Sequence, residues 1–171
     1  MSRFPFAVLG TLSKRSLSGY DVHNTFTHAV RSYWTETLGR IYPLLEQLLT
    51  QGLIEVDEQT PHRSQLKTTY KLTPAGLEKL EAWMETAPTP CEHQDEVALR
   101  VSFGAVTHPS IILGLLEAET EHVRDQLDEL DELDIEQLDD FEFMAYRWSR
   151  RYLEARAQWV DESARELNDY R

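Results

Sequence analysis

Cysteine is almost absent: Cys91 is the single one in 171 residues, so no intramolecular disulfide is possible. That excludes the disulfide-stapled scaffolds of small secreted domains and suits a reducing compartment. Long apolar runs are absent as well, none approaching the roughly 18 residues needed to span a bilayer. Arg3 and the apolar run Phe4–Leu12 have the outline of a secretion signal. No small-x-small cleavage site follows, and a buried first helix accounts for the run. A cytoplasmic protein without membrane contact is expected. Catalytic motifs are missing too: there is no phosphate-cradling loop, no Gly-x-Ser-x-Gly elbow and no metalloprotease signature. Asp139 and Asp140 pair only within an acid-rich run that reads as a solvated face. Cys91, His93, Asp95 and His122 are ligand types, but Cys-x-His is no zinc spacing and no second pair follows. The expectation is no enzyme, no metal and no cofactor.

Positive charge is in short supply, with a net charge of −13. The deficit is local. Residues 1–90 balance 9 Lys/Arg against 9 Asp/Glu, whereas residues 91–171 hold 8 against 21, the whole of the excess. An overall acidic chain argues against nucleic acid; a neutral N-terminal half permits a modest basic face with salt-sensitive phosphate contacts.

With 41% hydrophobic residues, the chain has material for one or two packed domains. Pro88 and Pro90 interrupt any helix where the charge switches, which sets the expected organisation as domain 1–86, linker 87–91 and domain 92–171. In the first domain, Phe4–Lys14 reads as a short helix. Ser18 with Asp21 three residues on resembles a capping box, opening a second helix to about Val30 that buries Val22, Phe26, Ala29 and Val30. After a connector at Arg31–Trp34, Thr35 or Thr37 caps a third helix with Ile41, Leu45, Leu48 and Leu49 inward, ended by Gly52. Pro43 is tolerable there only near the first turn. Leu53–Asp57 and Thr68–Leu72 read as strands flanking a polar loop. Thr73-Pro74 starts a fourth helix with Leu77, Leu80, Trp83 and Met84 facing the core.

The second domain reads as wholly helical. Asp95–Phe103 is a short amphipathic segment. Pro109 opens a long helix with Leu113, Leu116, Thr120, Val123, Leu127 and Leu130 at coiled-coil-like spacing. A last helix from about Leu138 carries Phe141, Met144, Trp148, Tyr152, Ala155, Trp159 and Leu167 on one stripe. Two such helices after a small module call for a partner surface, and self-pairing is the economical one.

The predicted fold is therefore mainly α: an N-terminal winged helix-turn-helix with a two-stranded wing, then an all-helical C-terminal dimerisation domain. Leu9-Gly10, Ser18-Gly19-Tyr20-Asp21, Gly39-x-Ile41-Tyr42-Pro43-x-Leu45, Gly52-Leu53-Ile54 and Tyr70-x-Leu72-Thr73-Pro74-Ala75-Gly76 occur in that order. In these the chain resembles the PadR family of transcriptional regulators. Asp95-Glu96-Val97-Ala98-Leu99-Arg100 and Trp159-Val160-Asp161-Glu162 are similar to its longer-tailed branch. The resemblance implies a homodimeric repressor that binds double-stranded DNA at an inverted repeat and is released by a small aromatic or drug-like effector. Leu38 and Arg40 depart from the polar residues often found there, and Gln59–Lys67 lacks a compact Gly-Arg-rich turn.

Candidate DNA-contacting residues are Tyr20, Thr35, Thr37, Arg40, Tyr42, Pro43, Gln47, Arg63 and Lys67, chosen for outward placement, hydrogen-bonding capacity or charge. For each, a solvated helix face, a half-buried tyrosine or a solubilising charge is the competing reading. Trp34, Trp83 and Trp148 are candidate effector-pocket residues, against the commoner role of tryptophan as a packing anchor. Phe4, Leu113, Leu116, Val123, Leu127, Leu130, Tyr152 and Trp159 are the candidate dimer-interface set. The alternative function is a protein-interaction module that uses the winged domain without specific DNA binding; an aromatic-pocket enzyme lacks any convergent acid–base set.

Overall fold

The computed structural model describes residues 3–27, 37–62, 65–88 and 95–169, and its chain forms two compact units, residues 1–89 and 90–171. The first unit is built from α1 (Phe4–Leu12), β1 (Leu17–Ser18), α2 (Gly19–Thr27), α3 (Leu38–Thr50), β2 (Ile54–His62), β3 (Gln65–Leu72) and α4 (Pro74–Met84). The strands form one antiparallel sheet in the order β1-β3-β2. The short β1, with Leu17 opposite Tyr70 and Ser18 opposite Thr69, was not expected: two residues carry no periodicity to read. Both wing strands run further than the alternating pattern indicated, because backbone pairing continues where side chains turn polar. Asp57 is the extra residue of a bulge between Val56 and Glu58.

The core of this unit collects Val8, Leu9 and Leu12 from α1, Val22 and Phe26 from α2, and Ile41, Leu44, Leu45 and Leu48 from α3. Leu44 is buried and Leu49 only half-buried, which centres the inner face of α3 slightly differently from the stripe read from sequence. Leu77 and Met84 are exposed, so α4 meets the core through Leu80 and Trp83 instead. Trp83 stacks on Phe6 of α1 at 4.9 Å between ring centroids. The stretch at 28–36, with Ala29, Val30 and the connector, lies outside the described residues.

The exit of α3 is tightly specified. Gly52 adopts φ 68°, the amide of Leu53 donates to Leu48 O at 3.0 Å, and that of Gly52 to Leu49 O at 2.9 Å. This is the left-handed helix end that glycine permits. Thr73 then joins α4 to that exit. Its amide donates to Leu53 O (3.1 Å), its hydroxyl donates to Gly52 O (2.7 Å), and its Oγ1 accepts from the Gly76 amide (3.1 Å).

The second unit contains α5 (Glu96–Ser102), α6 (Pro109–Asp131) and α7 (Asp140–Asp169), with single 3-10 turns at Gly104–Val106 and Ile135–Gln137. The last two helices form an antiparallel hairpin. Ile112 and Leu116 pack with Val160, while Val123 and Leu130 pack with Leu153. Here the dimer-interface expectation is corrected: Leu116, Val123 and Leu130 are buried inside their own chain against α7, so their apolar area is already covered. Phe4 likewise sits in the core of the first unit, edge-on to Phe26 at 6.1 Å. Leu113, Leu127, Tyr152 and Trp159 are half-buried. The inner line of α7 runs through Ser149, Leu153 and Val160, which leaves Phe141 (80% exposed), Met144 (63%) and Trp148 (51%) outside.

Arg156 of α7 ties this unit together. Its guanidinium reaches Asp95, the N-cap of α5, and Glu119 of α6, and all three side chains are mostly buried. Asp95 also accepts from the Ala98 amide at 2.8 Å. The Arg156 guanidinium holds the Asp95 carboxyl down to about 2, outweighing the opposing effect of burial.

Candidate nucleic-acid interface

Helical geometry decides what α3 offers. At 100° per residue, a face centred opposite Ile41, Leu44, Leu45 and Leu48 runs through Gly39, Pro43, Glu46 and Thr50. All four of these residues are exposed. Arg40 and Gln47 border that face on one side and Tyr42 on the other, each exposed. Pro43 at the sixth helical position removes one backbone bond, and the helix continues to Thr50. Thr37 stands exposed at the N-cap without a side-chain cap bond, leaving its hydroxyl uncommitted to the first turn.

Arg40 does not simply extend outward. Its guanidinium lies 5.1 Å from the centroid of the Phe4 ring, a cation–π contact that brings the start of α1 beside this exposed face. Tyr42 packs over the start of α2, so closely that a Cβ on Gly19 would stand 2.7 Å from its ring. The backbone of α2 thus sets the angle of Tyr42. Gly19→Ala should tilt that ring and weaken any contact it makes, and should also cost some stability, because the added Cβ would stand 3.1 Å from Cδ1 of the buried Leu45. DNA affinity and thermal melting of the same variant check this.

Tyr20 is exposed in the first turn of α2. The capping box predicted there is present: Asp21 Oδ2 accepts from the Ser18 amide (3.1 Å) and hydroxyl (2.6 Å), while the Asp21 amide donates to Ser18 Oγ (3.2 Å). The same carboxylate oxygen takes the Lys67 amine of β3 at 3.1 Å. Burial pushes the Asp21 carboxyl up, and its bonds to Ser18 and Lys67 more than offset this, leaving it below the usual range. Lys71 is held by Glu55 at 3.3 Å and Asp57 at 3.2 Å. Thr35 and Arg63 lie outside the described residues.

Sequence reasoning missed Glu46 and Thr50 on the outermost row of α3. The signal was available in the helix period, but a search for basic and amide donors passes over an acid. Glu46 has an electrostatic consequence: burial first, then Tyr42 and Glu46, push the Tyr70 phenol upward.

The three candidate pocket tryptophans do not act alike. Trp34 lies outside the described residues. Trp83 is committed on one face to Phe6 within the first unit. Trp148, in the second unit, stacks on Tyr152 at 5.5 Å. A groove of about 520 Å³ there is lined by Met144, Arg147, Trp148, Arg151 and Tyr152, all from α7, and is therefore open along one helix. No group of three or more His, Cys, Asp or Glu fit to hold a metal occurs among the described residues. No helix among them is long and apolar enough to cross a membrane.

Comparison with known proteins adds the following. The profile described as "Transcriptional regulator PadR-like family" matches residues 8–82, and "Virulence activator alpha C-term" matches residues 94–168. The "Negative transcriptional regulator PadR" of Bacillus subtilis (strain 168) is 32% identical over 99 residues, covering 57% of this chain and 54% of that protein. The chain thus aligns with about half the length of the curated relatives it matches. Among solved structures, Bacillus subtilis PadR in complex with operator DNA superposes with a TM-score of 0.79 at 23% identity, covering 97% of this chain and 99% of that one. Its complex with p-coumaric acid gives 0.72 at 21%, covering 98% and 99%. At these identities the structural likeness shows a shared fold.

Proposed function

This chain belongs to the PadR-like family of transcriptional regulators, and from that premise we propose that it is a homodimeric DNA-binding repressor released by a small aromatic effector. The observation that carries the reading is the exposed row of α3, a helix buried on one side by four apolar residues and offering Arg40, Tyr42, Pro43 and Gln47 on the other. A helix held in this way by a supporting helix and a wing suits entry into the major groove. Tyr20 and Thr37, both exposed, are further candidates for phosphate or base contact. The relative in complex with operator DNA supports the same reading.

Dimerisation rests on a different observation. One chain leaves Phe141, Met144 and Trp148 on the surface of α7, an apolar stripe of the kind that association covers. That stripe takes the place of the α6 seam as the proposed interface, with Tyr152 and Trp159 at its margin. The effector reading draws support from the p-coumaric acid complex of the relative. Trp148 is the first residue to test for it, since its stacking with Tyr152 offers an aromatic surface. A regulator of this kind works in the cytoplasm and performs no catalysis.

Selection of bound sequences from random DNA should return an inverted repeat with half-site centres about one helical turn apart, roughly 34–36 Å. Arg40→Ala should weaken binding to the selected site by roughly 1–3 kcal/mol while the melting temperature stays near that of wild type. Anisotropy titration with labelled duplex measures it. Unchanged affinity would remove Arg40 from the interface, and no selected sequence at low salt would favour the protein-interaction alternative.

A further inference from the structure

The wing of this protein carries its own counter-charges. Its two described amines are both held by carboxylates of the same unit: Lys67 by Asp21 at 3.1 Å, and Lys71 by Glu55 and Asp57 at 3.3 and 3.2 Å. Glu58, also exposed on β2, adds a further negative charge. On the wing strands themselves three carboxylates, Glu55, Asp57 and Glu58, stand against these two amines, and Asp21 of α2 adds a fourth, so this part of the unit is electronegative, the reverse of what phosphate contact requires.

Asp21 is the pivot. One oxygen of its carboxylate binds the Ser18 amide and hydroxyl and the Lys67 amine, so it closes the first turn of α2 and holds β3 in a single geometry. Ser18 is itself paired with Thr69 of β3, which fixes the distance between the two strands at that point. Lys67 is therefore drawn along the sheet toward the start of α2. An ammonium there faces the positive end of the helix dipole, an unfavourable position unless a carboxylate compensates it.

We propose that Asp21 sets the contribution of the wing to DNA binding, by engaging Lys67 as an internal counter-charge and withholding it from the phosphate backbone. Affinity and sequence choice then fall to α3. The inference rests on the DNA-binding reading above and identifies Asp21 as a positioning residue, one that acts through Lys67.

A salt series of anisotropy titrations on the selected duplex tests it. Asp21→Asn keeps an acceptor oxygen for Ser18 and frees the amine. It should bind several-fold tighter than wild type, and its log–log salt dependence should steepen by about 0.9, the increment for one added phosphate contact. The double variant Asp21→Asn/Lys67→Gln removes the pair together and should match wild type within about twofold in affinity, with an unchanged slope. Weaker binding by Asp21→Asn, or a double variant whose slope is flatter by about 0.9, would show that Lys67 meets phosphate and would overturn the proposal. Wild-type affinity and slope in Asp21→Asn would overturn it as well. If circular dichroism shows Asp21→Asn unfolded, Lys67→Gln alone tests the same pair: affinity and salt slope equal to wild type support the proposal, and a slope flatter by about 0.9 overturns it. Failure of wild type to bind any selected duplex would instead count against the DNA-binding reading itself.

Discussion

Gly76→Ala is expected to destabilise the winged unit by roughly 2–4 kcal/mol, the upper range for forcing extra volume into a packed site. The cause is the backbone of another segment. A Cβ at residue 76 would overlap the carbonyl of Leu53 and stand 2.8 Å from Leu72 Cδ1. The carbonyl cannot withdraw, because it accepts the Thr73 amide and follows directly on the fixed turn at Gly52. At roughly 4–8 °C per kcal/mol for a unit of this size, the melting temperature should fall by on the order of 10–25 °C. Gly10→Ala provides the contrast. Nothing lies within 4 Å of a Cβ there, and the residue is inside α1, so the change should be neutral or stabilising by up to about 1 kcal/mol. Calorimetry of both variants separates the two cases. A Gly76→Ala protein that melts within about 2 °C of wild type would contradict the close approach of α4 to the end of α3.

Arg156→Met should have the largest effect in the helical unit. It leaves Asp95 and Glu119 mostly buried without their cation, a situation that costs about 3–5 kcal/mol when one partner of such a cluster is removed. The predicted loss is dependent on pH, and its sign follows from Asp95. Its carboxyl titrates near 2 in the folded chain against an ordinary value of 3.8. A depressed carboxyl stabilises the fold fully above its unfolded value, and that contribution disappears as pH falls from about 4 through 2. The shift corresponds to about 2 kcal/mol. Urea unfolding at pH 6 should therefore separate variant from wild type clearly. At pH 2.5 the two curves should draw together. Equal midpoints at pH 6 would mean that the cluster contributes nothing to holding α5 on the hairpin.

Most of the winged unit was legible in the sequence because its signals are local. Ser18 with Asp21, Thr73 with Pro74, and Gly52 each act within a few residues, and each appears at its expected helix end. The period of α3 was equally plain, displaced by a single position at Leu44. What escaped was set by distant partners. The two-residue β1 exists only because β3 passes beside it, and Lys67 meets Asp21 only because the sheet brings position 67 to the first turn of α2. Leu116, Val123 and Leu130 read as a seam for a second chain, since spacing shows that a face is apolar and not which helix covers it. The stripe on α7 was legible as an apolar face, but that the helix packs on α6 through Ser149, Leu153 and Val160 and leaves Phe141, Met144 and Trp148 bare was not.

The sequence by itself determined the main helices and the two wing strands, their order, the family resemblance and the division of charge between the halves. Each follows from composition or from periods that a chain carries whether folded or not. Only the tertiary structure decided which apolar faces one chain covers and which it leaves bare, and which charges are already neutralised at home. It also decided why residue 76 must be glycine. Those outcomes depend on what lies across a gap of a few ångströms between segments far apart in sequence, and packing alone sets that distance.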